Sequence, residues 1–419
     1  MSQRLKVLIS AYACEPGKGS EPEVGWQWAL QMARFHDVTV LTRANNRAAI
    51  EAGLQKLQGQ QPLPQFVYHD LNSFFVTAKR RLKFIKLYYL LWQTSARKVV
   101  AKLHAANRFD LLHHVTFAAY RYPTAIWGHG VPCIWGPIGG AESIPAPLLP
   151  RDHPSSFAAE SVRNLSNTLQ TSRYSMLTQR ARDTSLILAT TVEMQRTLQR
   201  LGFSSELMPT IGLRTQELPY QPHRQNNGPL RLLYVGNVIG LKGIDLAIDA
   251  LKLSETDATF TIVGDGNYLG ALQRRVAELG LDSRVIFKGR MPREQVLRLY
   301  PDYDVFVFPS LHDTGGYAVI EAMFNELPVI CLDCGGPAVA VRENCGIKVP
   351  LDSRDKVVAD LALAIRLYSR YRAPLLADGK QARHVVLNHY DWDKKGAEMN
   401  ARYLATVGKK IETGFPQSP

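Results

Sequence analysis

The stretch SLHDTGGYAVIEAMFNELPV, residues 310–329, sets a carboxylate on either side of a Gly-Gly turn. Asp313 and Glu321 stand eight residues apart, directly after the apolar run VFVFP at 305–309. A strand that enters a glycine turn and then a helix exposes backbone N–H groups and the positive end of the helix dipole, which suits an anion. A carboxylate beside such a site repels phosphate but accepts hydrogen bonds from hydroxyls, and sugars supply hydroxyls in pairs. The pattern therefore fits a ligand that carries both phosphate and sugar. A plain helix N-cap also accounts for Asp313, and a solvated helix face for Glu321, although its neighbours VIEAMF are apolar.

Two junctions of the same kind come earlier. RLLYVG at 231–236 runs into GNVIGLKGIDLAIDAL, where Gly236 and Gly243 flank Lys242, a full positive charge at a phosphate-sized loop. An ordinary glycine turn with a solvated lysine reads equally well. VGDGNYLGAL at 263–272 carries Gly264 and Gly266, but its spacing misses G-x-G-x-x-G, so no dinucleotide fingerprint is read there. In the first half, CEPGKGSEPEVGWQW at 14–28 is a glycine loop (Gly17, Gly19) with Glu21 and Glu23 entering a helix. It is placed to meet an acceptor or a donor phosphate, or its acids simply favour the helix N-terminus. His113 and His114 close an apolar strand, as a ligand contact or as satisfied buried histidines. WGPIGGAES at 135–143 brings Gly139 and Gly140 to another strand end, a candidate acceptor loop.

The elements that must position these residues alternate along the chain. Strand-like runs fall at 5–12, 38–42, 65–69, 110–116, 132–136 and 185–190, with amphipathic helical stretches such as 23–35, 79–106 and 156–182 between them. The second half repeats the pattern at 231–236, 259–264, 284–288, 304–309, 328–332 and 346–349. Such alternation predicts parallel sheets covered by helices on both faces. The polar, Pro- and Asn-rich segment 209–230 lacks either periodicity. The expected architecture is therefore α/β: two doubly wound Rossmann-like domains facing a central cleft, with ligand at the carboxyl ends of the strands. The expected boundaries are 1–212, 213–385, and a C-terminal helix over 386–419 that packs back toward the first domain.

Composition narrows the function. The chain has 419 residues, 46% of them hydrophobic, and no apolar run approaches the roughly 20 residues that cross a bilayer. The N-terminal run MSQRLKVLISAYACEP reads as a first buried strand rather than a secretion signal, which predicts a cytoplasmic protein. The net charge of +13 points to anionic partners. Between Lys79 and Lys102 the segment holds eight Lys/Arg and no acid, interleaved with Phe84, Tyr88, Tyr89 and Trp92. That is the pattern of an element at an anionic membrane surface, or of a helix with an apolar stripe on the core and a solvated basic face. Cys331-x-x-Cys334 has no second pair at zinc spacing and reads as buried thiols. Asp302-Tyr-Asp304 opens a strand and reads as a turn, so no metal ligands are assigned.

Taken together, Gly236, Asn237, Lys242, Gly243, Gly264-x-Gly266 and FPSLHDTGGYAVIEAMFNELPVICLDCGGP resemble the C-terminal domain of family-4 glycosyltransferases with the GT-B fold, of the bacterial polysaccharide type. DVTVLT, FDLLHHVT and WDKKGAEMNARYL extend the likeness over most of the chain. The resemblance implies retaining transfer from a nucleotide-diphosphate sugar, without metal or other cofactor. Asp313 and Glu321 stand at the two acids of the E-x7-E pattern. Glu321 would then hold ribose hydroxyls, Asp313 a sugar hydroxyl, and the N–H groups of Gly315, Gly316 and Tyr317 the diphosphate. The likeness favours His114 near the transferred sugar and implies front-face attack, with a donor phosphate oxygen taking the acceptor proton. The chain departs from the pattern twice: Asp313 is one methylene shorter than glutamate, and Asn237 replaces an arginine, which shifts the charge requirement to Lys242 and a further cation such as Arg290.

The expected function is therefore a glycosyltransferase that moves a sugar to a saccharide acceptor, lipid-linked at the inner face of the cell membrane. A nucleotide-sugar epimerase and a non-catalytic nucleotide-sugar-binding protein are the alternatives on the same fold. A nucleic-acid partner would explain the charge, but no recognition helix or RNA-binding sheet motif is present.

Overall fold

The computed structural model describes residues 4–72, 85–148, 162, 181–222 and 228–413. Two all-parallel sheets carry the described residues. The first contains β1 (Lys6–Ala11), β2 (Asp37–Thr42), β3 (Gln65–Tyr68), β4 (Leu111–Thr116), β5 (Cys133–Ile138), β6 (Leu186–Ala189) and β7 (Glu206–Leu207), ordered β3-β2-β1-β4-β5-β6-β7. The second contains β8 (Arg231–Val235), β9 (Thr259–Val263), β10 (Val285–Gly289), β11 (Val305–Phe308), β12 (Val329–Leu332) and β13 (Gly346–Val349), ordered β10-β9-β8-β11-β12-β13. Helices α1 (Ser20–Ala33), α2 (Arg47–Leu57), α3 (Ile85–Asn107) and α4 (Val192–Arg200) belong to the first half. The second half carries α5 (Ile244–Leu253), α6 (Leu269–Glu278), α7 (Arg293–Leu299), α8 (Tyr317–Phe324), α9 (Gly335–Ala340), α10 (Arg354–Arg370) and α11 (Arg372–His389), followed by α12 (Trp392–Thr413).

The strands form where the sequence runs apolar on consecutive positions, because both faces of a parallel sheet are covered. In β1, Val7, Ile9 and Ala11 join the cluster that holds Trp28, Ala29 and Met32 of α1. Leu8 faces the other way, into the cluster of Tyr12, Tyr89 and Trp92. β4 and β5 are buried along their whole length. Sheet order reverses between β1 and β4 and again between β8 and β11, with β1 paired to β2 and β4 in register at Leu8↔Thr39 and Leu8↔Leu112. Such reversals open a crevice at the carboxyl ends of the strands. Both crevices face each other here, since loops after β1, β8 and β11 line one cavity.

The chain crosses between the sheets twice, side by side. Leu213 donates to Tyr390 O (2.7 Å) and Trp392 donates to Leu213 O (3.0 Å). α12 then packs on α1: Trp392 meets Trp28 edge-on at 5.1 Å, and Gln31 donates to Asp393 (3.0 Å). At this crossing the buried Lys395 donates to Pro209 O (2.6 Å) between the Trp28 and Trp392 rings.

The structure bears on several readings that the sequence left open. The aromatics of the basic segment do not form its outer face: Tyr88, Tyr89 and Trp92 are buried, with Tyr12 edge-on to Tyr89 at 4.9 Å and to Trp92 at 5.2 Å. Burying an aromatic side chain removes about 150–250 Å² from water, about 4–6 kcal/mol, so the aromatic stripe of α3 faces the core. What α3 exposes instead is Ile85, Leu87 (53% exposed) and Leu90 beside Lys86, Lys98 and Lys102. Residues 79–84 of that segment, and nearly all of the helical stretch 156–182, lie outside the described residues. The two-residue β7 was not expected, being too short to show alternation. Asp304 is buried and accepts from the Arg231 backbone (2.8 Å) and guanidinium (2.9 Å), which fastens β11 to β8. All five cysteines are buried and free.

Candidate functional site

β11 delivers the chain into Pro309–Gly316, and Gly316 at φ 74° starts α8, a left-handed conformation that glycine adopts without a steric penalty. The Asp313 carboxylate folds into this turn. Its Oδ1 accepts the N–H groups of Gly315 (3.0 Å) and Gly316 (2.9 Å), and its Oδ2 accepts from Lys242 Nζ (2.6 Å). Asp313 thus already holds the two N–H groups that the resemblance assigns, with that of Tyr317, to a diphosphate. Lys242 reaches Asp313 from the turn Gly240–Lys242 after β8, with its side chain mostly buried over Phe308.

Glu321, one turn into α8, is buried. Its Oε1 accepts two bonds from Arg293, at 2.9 Å from Nε and 2.6 Å from Nη2, and its Oε2 accepts from the Tyr300 hydroxyl (3.3 Å). Burial pushes the Glu321 carboxyl above its ordinary range, and the Arg293 charge and hydrogen bonds oppose that. Neither Arg293 nor Tyr300 was expected from sequence. They stand seven residues apart along α7 and the turn after it, but nothing in the sequence joins either of them to Glu321. The neighbouring Tyr317 hydroxyl is buried with no partner among the described residues, and burial pushes it far up, with Glu23 and Glu321 adding to the effect.

These groups line two adjoining cavities. The smaller, about 500 Å³, is bounded by Gly236, Asn237, Lys242, Gly264, Gly266 and Arg290. A side chain at Gly264 would strike the Gly236 carbonyl, so glycine there lets the β8 and β9 loops close on each other. Asn237 and Arg290 are both exposed in this cavity. The larger, about 1210 Å³, lies between the sheets and holds Glu321, Arg293 and the loop with Gly17, Gly19, Glu21 and Glu23. Gly236, Asp313, Gly316 and Tyr317 border both, so the two spaces form one cleft. Among the described residues no group of three or more His, Cys, Asp or Glu is gathered as a metal ion would require.

The acids of the first-half loop are engaged by their own domain. Glu23 accepts from Gly17 N (2.7 Å) and Gln27 (2.7 Å), which shapes the glycine loop. Glu21 accepts from Phe117 N (2.6 Å), and burial pushes its carboxyl up. His114 stands behind the cleft wall rather than on it. It is buried, lines neither cavity, and its Nδ1 has no partner among the described residues. Burial pushes it down to about 3, so its ring is neutral. His113 is a satisfied core residue between Tyr403 and Gly136 O. Gly139 and Gly140 also lie off the cleft: a side chain at Gly139 would meet Thr314 across the domains, and Gly140 N donates to Glu142 (3.0 Å).

Residues 217–374, which supply Asp313, Glu321, Lys242 and Arg293, match the family model described as Glycosyl transferases group 1. This segment resembles a glycosyl transferases group 1 domain. The chain is 27% identical over 225 residues to the 2-deoxystreptamine glucosyltransferase of Streptomyces kanamyceticus, covering 53% of this chain and 52% of that protein. It is 29% identical over 178 residues to the GDP-mannose-dependent alpha-(1-6)-phosphatidylinositol monomannoside mannosyltransferase of Mycolicibacterium smegmatis, covering 39% and 45%. The chain thus spans about half the length of these relatives. Around the matched segment the whole fold is similar to solved structures. Sucrose-phosphate synthase of Thermosynechococcus elongatus superposes with a TM-score of 0.62 at 18% identity, over 97% of this chain and 100% of that one. A glycosyltransferase of Rickettsia africae ESF-5 gives 0.61 at 14% identity, over 96% and 99%. The fold is GT-B: two Rossmann-like domains, of which the second contains the matched segment.

Proposed function

We propose that the protein is a retaining glycosyltransferase that binds a nucleotide-diphosphate sugar against the second domain and passes the sugar to a saccharide acceptor held from the first domain. The observation that carries this reading is the meeting of Lys242, Asp313 and Glu321 on one cleft between two facing switch points. The site pairs the cations Lys242 and Arg290 for phosphate with carboxylates for sugar hydroxyls.

In the present structure Lys242 and Asp313 neutralise each other. A diphosphate competes for Lys242 and leaves Asp313 a free lone pair for a sugar hydroxyl. Arg290, exposed in the smaller cavity, supplies the second positive charge that Asn237 does not. As the anomeric C–O bond breaks, negative charge builds on the leaving diphosphate, where fixed donors are worth most. The acceptor oxygen bonds the anomeric carbon from the same face, and its proton goes to the departing phosphate oxygen. Residents of the cleft bind and orient, and none acts as a covalent nucleophile in this account.

The exposed Ile85, Leu87 and Leu90 beside Lys86 and Lys98 favour an acceptor presented at an anionic membrane surface, where a short apolar patch inserts and lysines meet headgroups. Asn237 favours a second reading, nucleotide-sugar binding without transfer.

The test incubates the protein with UDP-, GDP- and ADP-sugars and follows nucleoside diphosphate release, with Glu321→Ala alongside. Release from one donor class, lost at least about 10-fold to 100-fold in the variant, is expected from removing hydrogen bonds to a charged group. Equal release by the variant would remove Glu321 from the site. Tight donor binding without release would select the second reading.

A further inference from the structure

Resting on the donor-site reading above, we propose that Glu193 of the first domain is a positioning residue for the Asp313 turn of the second, acting across the domain boundary through α9. Two glycines hold the Asp313 main chain from behind. Gly336, at the start of α9, donates its N–H to Asp313 O (2.8 Å). Gly335, at φ 66°, packs so closely that a side chain there would strike the same carbonyl, and a side chain at Gly336 would strike Thr314 O. With its carbonyl fixed in this way, Asp313 keeps its freedom in the side chain, the part that must exchange Lys242 for a sugar hydroxyl.

α9 is itself held by the other domain. Gly335 donates its N–H to Glu193 Oε1 (3.1 Å), in the first turn of α4. α4 is a firm support. Its N-cap Thr191 accepts from Met194 N (3.2 Å) and donates to the buried Glu142 (2.9 Å), and Glu142 accepts from Gly140 N (3.0 Å). The glycine loop after β5 is thereby stitched to the start of α4. The same loop also meets the Asp313 turn directly, since Gly139 leaves just enough room for the Thr314 methyl group beside Thr190. The turn is thus supported from the first domain at two points, by Glu193 through α9 and by Gly139 against Thr314. This gives a use to Gly139, Gly140, Gly335 and Gly336, none of which lines either cavity.

A residue that positions Asp313 should matter for the sugar and not for the nucleotide. UDP-glucose, GDP-mannose and ADP-glucose are titrated calorimetrically beside their parent diphosphates, and for the donor that binds, the ratio of the two affinities reports what the sugar adds. Asp313→Ala sets the scale and is expected to cut this ratio about tenfold or more, the loss of one hydrogen bond to a charged group. Glu193→Ala is expected to cut it at least about threefold and to leave the parent diphosphate within about twofold of native. Glu193→Gln keeps an oxygen for Gly335 N and is expected to restore most of the ratio. The double variant Glu193→Ala, Asp313→Ala is expected to lose no more than Asp313→Ala alone, because a residue that acts through Asp313 then has nothing left to position.

If Glu193→Ala keeps the native ratio, or if the two losses multiply in the double variant, Glu193 does not act through Asp313 and the inference fails while the donor-site reading stands. If Asp313→Ala itself keeps the native ratio, or if no donor binds, the donor-site reading fails and this inference falls with it.

Discussion

Asp313 and Glu321 look equivalent in sequence, but the structure gives them opposite surroundings. Asp313 closes a turn and neutralises Lys242 at 2.6 Å, while Glu321 is buried against Arg293 and Tyr300. That Asp313 folds onto the turn ahead of α8 was legible from Asp-Thr-Gly-Gly, since an aspartate before a glycine turn readily accepts the next N–H groups. That Glu321 has a cation was not, because Arg293 lies 28 residues earlier on another element and only tertiary packing joins them. His114 misled for the same reason: a histidine at a strand end faces the ligand or the core according to which face the packing covers. At this scale a pH dependence follows. Burial raises the Glu321 carboxyl above its ordinary 4.5, so it takes up a proton at a higher pH than an exposed glutamate. Nucleotide affinity is expected to fall as pH is lowered through that raised value, and Arg293→Met should move the fall to higher pH by removing the opposing charge. Isothermal titrations between about pH 5 and 8 check this, and an affinity that stays flat in both proteins would contradict it.

Among the elements, strands were the most legible, because apolar runs punctuated by glycine have few other uses in an α/β domain whose sheet is covered on both faces. β7 escaped because two residues cannot display a pattern. α3 was legible as a helix and ambiguous as a surface until its aromatics were seen to pack on Tyr12. Its outer face makes a prediction of its own. Leu87→Asp with Leu90→Asp, both exposed, should leave the thermal midpoint nearly unchanged and abolish sedimentation with vesicles that contain anionic lipid. Undiminished sedimentation would contradict a membrane-facing role for α3. α12 carries the second element-scale prediction. Burial pushes Lys395 down from 10.5 to about 7, with Glu398 opposing and Arg402 adding to the effect. Between those values the folded state holds fewer protons than the unfolded chain, so stability on this group's account rises with pH across that window and is lowest below pH 7. Lys395→Met should flatten the rise in thermal midpoint between about pH 7 and 9, measured by calorimetry. An unchanged slope would show that the lysine titrates outside that window.

On the scale of the whole molecule, two sheets of the same winding turn their switch points toward each other, and the chain crosses between them twice at one place. The doubling of the α/β pattern made the two sheets readable from sequence, and the apolar-poor segment 209–230 marked where one gives way to the other. How the cleft is lined could not be read, because its walls come from stretches as distant as Pro16–Gln27 and Asp313–Glu321. No described helix is long and apolar enough to cross a membrane. The central claim is that the cleft holds the nucleotide diphosphate of a sugar donor. Calorimetric titration with UDP, GDP and ADP, on the native protein and on Glu321→Ala and Lys242→Ala, tests it most directly. The account predicts that one nucleotide binds and that each variant weakens it about tenfold or more, as expected for lost contacts to charged groups. Equal binding by all three proteins, or no binding of any nucleotide to the native chain, would contradict it.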